Sequence, residues 1–539
     1  MPTITKTHMA SDEQLARCAD ALERIAGASA GLSYDSAKGE YTGIGAYFAA
    51  RRDGKKYTVR VPLTASTACT KLDANAGIAV PTPGTRARAA VDPYATINAF
   101  SHVDVTGFPD ADGRPRVKTI EWDAMFRRDG TAGNVLVMAP VLWWSYVVED
   151  GGQSALLSIS DSPLPGMVPQ PEAVLPDGTL RECMLYPKYV MSDYGGRPAS
   201  VSGAQPRTRD VSHNSLITQV IQANGEDESW TGKTLAVDWY LKVMFLMKYA
   251  TRNSQSVFQG CVSYDVKRQP SAATDAADHI DLAKGHGLLL GSAVMVGSED
   301  VDRGNATAHD VVDYAVITSI DASDEGFDRL TLDRSVTVAT TDWVKTAPWP
   351  TGSCDGVYGD GSPYDPLSGD EPFVLQGVET GIGAYEVFAN VVLKNDGTSG
   401  WHVYINHDAI SETTSVSSIH EDTGVSLPTD ENDSWKYPTI MANADGFLCG
   451  TDAAGSTTTG MCDGTYTNKM STVGERELHS LGVLTYGAGA GLWCVRGSSA
   501  LASAWWGIGS RLSATGRSSP ASVARARRMV SENDRRKEE

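Results

Sequence analysis

The 539-residue sequence has no Cys-x-x-Cys spacing, no His-Glu-x-x-His and no Gly-rich phosphate loop after a strand. The first two absences argue against a zinc site, and the third against a nucleotide-phosphate cradle. The eight cysteines are scattered singly, and free, mostly buried thiols are the expectation. A chain assembled in a bacterial cytoplasm would need no disulfides. Long apolar runs are missing too. The longest, residues 135–148, is broken by Pro140 and is too short to cross a bilayer. The first ten residues lack an apolar run, so a secretory leader is not expected. Positive charge is in deficit: the formal net charge is −20, which argues against indiscriminate binding to nucleic acid or to an anionic membrane. Strong helical periodicity is rare and glycine is frequent, 53 residues, which together predict a loop-rich, β-rich protein.

What is present is concentrated near the carboxyl end. Residues 491–495 and 506–512 are short apolar runs that suit a pleated, half-buried surface. The ten residues between them are mostly Gly, Ser and Ala, which cannot bury a core of their own. A permissive loop on a stiff frame is a common place for binding. Tyr486, Trp493, Arg496, Trp505 and Trp506 lie in or beside it. Trp, Tyr and Arg dominate binding energy at protein interfaces, and aromatic rings also stack on sugars. Period-two counting turns Trp506 inward and leaves Trp505 partly exposed.

Upstream, residues 11–27 carry apolar positions at helical spacing behind Ser11. Residues 31–95 read as short strands and turns, and Pro81, Pro83 and Gly84 place a boundary near residue 92. The expected division has an attachment or oligomerisation module at 1–92 and a first part of the main domain at 93–278. A small antiparallel barrel follows at 279–346, then a second part at 347–516 and a flexible tail at 517–539. Within 93–278, residues 134–140 and 142–148 read as paired buried strands. One helix is expected over 215–224, stopped by Gly225, and a second over 236–250. The second is apolar nearly all round, with Lys242 and Lys248 as its outward positions.

Several of these segments resemble the phage proteins diversified by retroelements, the major-tropism-determinant-like variable proteins. The resemblance rests on Ala490-Gly491-Leu492-Trp493 and on Ile508-Gly509-Ser510-Arg511-Leu512 as the closing strand. It extends to Ser200-Val-Ser-Gly-Ala-Gln-Pro and to the Tyr249-Ala-Thr-Arg-Asn-Ser motif behind the apolar helix. It covers roughly residues 130–265 and 370–515. The chain departs from the family pattern in having almost no Asn in the variable stretch. Leu481-Gly482-Val483-Leu484 also stands where Gly-Gly-x-Trp is usual.

The resemblance implies an α+β, β-rich fold: a C-type-lectin-like domain with the small barrel inserted and the β-rich module in front. It implies a variable binding surface at Val483, Thr485, Tyr486, Gly489, Arg496, Ser498, Ser499, Ala502, Ala504, Trp505 and Gly507. The implied partners are a host-cell surface receptor, protein or glycan, and other tail proteins in a virion tail tip or fibre. A homotrimer is implied as well. No catalytic residue, cofactor or metal is expected. Two alternatives stand beside this reading. The same fold branch includes formylglycine-generating oxidoreductases, which hold copper with two nearby cysteines. Cys494 would then need Cys449 or Cys462 beside it. The other alternative is a structural tail or baseplate component. Asp355, Asp360 and Asp365 lie in a Gly- and Asp-rich loop that calcium could use, but Asp-Gly pairs there read as plain turns.

Overall fold

The computed structural model describes residues 31–225, 227–322 and 326–518. The helix expected over 11–27 and all but the first two residues of the expected tail lie outside them. The described protein is α+β and β-rich. Its helices are α1 (Ile44–Ala49), α2 (His213–Ile221) and α3 (Leu235–Tyr249).

Two sheets form the first half. One orders Ser33–Asp35, Glu40–Thr42, Pro115–Ile120, Val103–Pro109, Val135–Ala139 and Met184–Pro187. The other orders Val168–Pro169, Trp143–Glu149, Ser154–Ser160, Tyr57–Pro62 and Thr70–Asp73. Tyr57–Pro62 bonds to Ser154–Ser160 in continuous register, so the described front segment shares a sheet with residues beyond 92. One expectation is corrected: Val135–Ala139 and Trp143–Glu149 do not pair with each other. The chain changes sheets across Pro140, Val141 and Leu142, because proline supplies no ladder donor.

Helix α3 lies between these layers and the carboxyl-terminal sheet. Every one of its residues is buried. Trp239 and Met244 share a core with Val59, Trp144 and Leu157 on one side and with Leu492 and Trp493 on the other. Lys242 and Lys248 therefore do not face solvent. Lys242 Nζ sits 2.7 Å from Asp238, one turn earlier, and donates to the Leu448 carbonyl at 3.0 Å. Lys248 pairs with Asp92 at 2.8 Å and with Asp360. A buried ammonium is tolerated only with such partners. Asp360 is thus an ion-pair partner inside the core. Helix α2 begins two residues earlier than expected because Ser212 and Ser215 form a reciprocal capping box.

Residues 267–347 form a separate antiparallel sheet. Its order is Lys267–Arg268, Trp343–Ala347, Ala293–Gly297, Val312–Ala322, Phe327–Val338 and Thr274–Ala283. The hydrogen-bonded path is a curled antiparallel sheet that runs from Lys267–Arg268 at one end to Thr274–Ala283 at the other, where the sequence predicted a small antiparallel barrel. Its apolar face, including Val294, Ile317 and Leu330, packs with Tyr385, Val483 and Trp506.

The largest sheet carries the carboxyl-terminal region. Its order is Glu421–Leu427, Trp401–Ile405, Tyr385–Asn395, Gly474–Leu481, Gly491–Gly497, Thr465–Thr467 and Ser434–Lys436. The closing strand is short: Ile508–Gly509 runs parallel to Tyr385–Glu386. Beyond it, Arg511 locks the chain down. Its guanidinium bonds both Glu386 oxygens, at 2.8 and 2.6 Å, and the carbonyls of Glu379 and Pro187. Lys233 approaches the same carboxylate at 2.9 Å.

Candidate functional site

Strand register sets the frame of the site. Trp435 faces Tyr466, Tyr466 faces Arg496, and Arg496 faces His479 on successive strands. Directly opposed residues touch through their side chains, so these four form a line across the sheet. The aromatic row continues from it. Trp435 meets Tyr466 and Tyr486 edge-on, each with ring centroids 5.3 Å apart. Tyr486 meets Tyr385 at 5.4 Å, Tyr385 meets Trp505 at 6.1 Å, and Trp505 meets Trp506 at 5.3 Å. The Arg496 guanidinium covers both Tyr385 and Trp505, 5.7 and 5.6 Å from their centroids. Edge-to-face rings and a cation over a π face are favourable contacts that also fix ring orientation.

The row is graded in exposure. Tyr385 and Trp506 are buried at its base, while Trp435, Tyr466, Tyr486, Arg496 and Trp505 are partly exposed. Trp506 thus faces inward and Trp505 is half-buried, as period-two counting predicted. Both precede the closing strand, Trp506 in the turn that leads into it.

The loop between the strands is held by its main chain. Glu477 N–H donates to the Ser499 carbonyl at 3.0 Å, and Asn214 N–H, in the first turn of α2, donates to Leu501 at 2.8 Å. Ser503 N–H donates to Ala500 at 2.8 Å, Ile508 N–H to Trp505 at 3.1 Å, and Tyr385 N–H to Gly507 at 2.8 Å. Of the side chains, Ala500, Ala502 and Ala504 are exposed, and Ser498 and Ser499 partly so. Thr485 is exposed in the preceding turn.

Three residues expected on the variable surface are inside. Val483 is fully buried in the core shared with Trp506, because the chain at Gly482 runs tight beneath Ala490. Gly489 lies under the Tyr437 hydroxyl and the Trp435 ring. Gly507 is wedged: a Cβ there would stand 2.8 Å from Val483 Cγ1 and 3.0 Å from the Trp505 ring. The two glycines therefore predict opposite outcomes. Gly507→Ala should destabilise by about 1–3 kcal/mol through overpacking. Gly489→Ala, whose Cβ would find ordinary contacts at 3.7 Å and beyond, should cost almost nothing. Thermal melts of the two variants check this.

Asp463 supports the frame from below. It accepts from Ser254 Oγ at 2.6 Å and from Trp493 N–H at 2.8 Å, and Ser254 Oγ accepts in turn from Leu492 N–H. Burial pushes its carboxyl up to about 7, which these hydrogen bonds only partly offset. Gly491, at φ +128°, leaves room for that carboxyl; a Cβ there would stand 2.4 Å from it. His479, behind Arg496, bonds Glu477 at 2.8 Å, and burial lowers its basicity against the pull of that carboxylate. The Cys494 thiol is raised well above its ordinary value by burial and by Asp463.

Trp435, Tyr437 and Tyr466 were missed in the sequence. They lie well before the variable stretch, and only the parallel pairing of Thr465–Thr467 with Gly491–Gly497 brings them beside it. Parallel pairing of distant segments leaves no local signal. Their one legible mark was composition, aromatic residues within a polar loop.

No protein-family model matches the chain, and no curated protein matches it by sequence.

Proposed function

We propose that this chain is a phage or prophage tail receptor-binding protein whose C-type-lectin-like carboxyl-terminal domain holds out a variable surface for host attachment. The mechanism is binding, without a catalytic step. The observation that carries the reading is the division of labour in residues 498–507. Main-chain bonds hold the loop, while the side chains of Ala500, Ala502 and Ala504 face outward beside a half-exposed aromatic row. A surface built this way accepts new side chains without a new fold. Leu481 adds support. It occupies the first position of the opening where the resembled family carries Gly-Gly, and its φ is +74°, a left-handed conformation that glycine adopts freely.

The partners on this reading are a host-cell receptor, protein or glycan, and other tail proteins. In a homotrimer, weak contacts from three copies act together, since later contacts become local events. The experiment exchanges Ser498, Ser499, Ala502 and Ala504 together for larger polar residues. Attachment of the purified chain to host cells is expected to be lost or redirected. The melting temperature is expected to hold, because exposed substitutions usually cost within about 0.5 kcal/mol each. Unchanged attachment would instead favour a structural tail or baseplate component.

A further inference from the structure

We propose that His407, Asp445 and Glu421 form a binding site for one divalent transition-metal ion of the zinc class. The three residues come from separate segments that the fold brings to one edge of the large sheet. His407 lies just past Trp401–Ile405, and Glu421 opens the neighbouring strand, where it pairs with Ile405. Asp445 sits in the turn of the hairpin Met441–Ala444 and Phe447–Gly450. His407 Nε2 is 3.0 Å from Asp445 Oδ2 and 3.8 Å from Glu421 Oε2. All three ligand atoms fall within 4.8 Å of one another.

Those separations suit the ion. Zinc bonds of about 2.0–2.2 Å in a tetrahedron put neighbouring ligand atoms roughly 3.3–3.5 Å apart, between the two measured values. The pieces also differ usefully in freedom. The His407 side chain is only 7% exposed and Asp445 is 22% exposed, whereas Glu421 is 62% exposed and can swing to close the set. Its open side leaves room for a water or a donor from another molecule as fourth ligand.

Charge points the same way. Two carboxylates this close to each other repel, and a dication between them would attract both. The donor chemistry selects among dications. Imidazole nitrogen suits zinc, nickel, cobalt or copper, while calcium and magnesium prefer oxygen throughout. Sequence spacing could not reveal the trio, because no two members share a segment.

The ion would clamp more than a loop. The His407 carbonyl accepts from both N–H and Oγ of Ser518, and Asp408 bridges to Arg517. The metal would thus fasten the point where the carboxyl-terminal segment docks on the sheet. This inference does not depend on the receptor-binding reading.

The test uses the purified full-length chain, stripped with chelator, then titrated calorimetrically with zinc sulfate and weighed for metal after desalting. One zinc per chain is expected. Glu421→Gln, on an exposed side chain, keeps the fold and should weaken zinc binding at least tenfold. His407→Ala should weaken it further. Calcium chloride should give binding at least a hundredfold weaker than zinc. The proposal is overturned by failure of the parent chain to hold stoichiometric zinc. It is equally overturned by undiminished zinc binding in Glu421→Gln, or by calcium binding as tight as zinc.

Discussion

Replacing Glu386 with alanine is expected to lower stability by about 3–5 kcal/mol, since it strips the counter-charge from buried Arg511 and leaves buried Lys233 with only Asp238, 3.9 Å away. Arg511 is fully buried and Lys233 almost so, and Glu386 is the carboxylate that both reach. The cations cannot relax toward water without unseating the strand Ile508–Gly509 from Tyr385–Glu386. Burial alone would raise the Glu386 carboxyl; Arg511 and Lys233 more than reverse this and hold it at about 2. The sign for pH follows. A carboxyl lowered in the folded state contributes its full stability above its unfolded value of 4.5. That contribution is lost as pH falls from there toward about 2. Thermal melts of parent and variant between pH 7 and pH 3 should therefore converge at the acid end. A compensated variant, Glu386→Leu with Arg511→Met and Lys233→Met, should recover much of the loss, because apolar replacements leave no charge stranded. A Glu386→Ala melt indistinguishable from the parent would remove this ion cluster from the account of the fold.

On the proposed receptor-binding reading, Trp435→Ala is expected to cut attachment to host cells by roughly thirtyfold or more, the scale of losing one interfacial anchor worth about 2 kcal/mol. Trp435 is chosen over Trp505 for a physical reason. It is partly exposed, and Tyr466 and Tyr486 hold its ring edge-on from two sides, so little freedom is lost when a ligand settles on it. The folded protein should survive, because Trp435 lies on the outermost strand of its sheet. Measuring adsorption of labelled chain beside its circular dichroism separates the two effects. Full adsorption by a folded Trp435→Ala chain would take the aromatic row out of the binding surface.

Local pattern carried part of this molecule. The apolar run of α3, the strand at Gly491–Gly497 and the loop behind it are legible because neighbours in sequence are neighbours in space. What failed to read depends on distant partners. Lys242 and Lys248 look like outward positions of a helix until the Leu448 carbonyl reaches the first and Asp92 and Asp360 reach the second from elsewhere in the chain. Gly507 looks as permissive as Gly489, because the pressure on it comes from Val483 and the Trp505 ring. The β-rich class was visible in composition; which strand pairs with which was not, as Val135–Ala139 and Trp143–Glu149 demonstrate.

The main-chain bonding of the loop has a consequence for anyone who would randomise it. Proline is the amino acid to keep away from Ser503, whose amide hydrogen is already committed to the Ala500 carbonyl. At Ala500, Ala502 and Ala504, bulk and polarity are tolerable, because those methyl groups look out on open water. A codon mixture poor in proline codons would waste few clones.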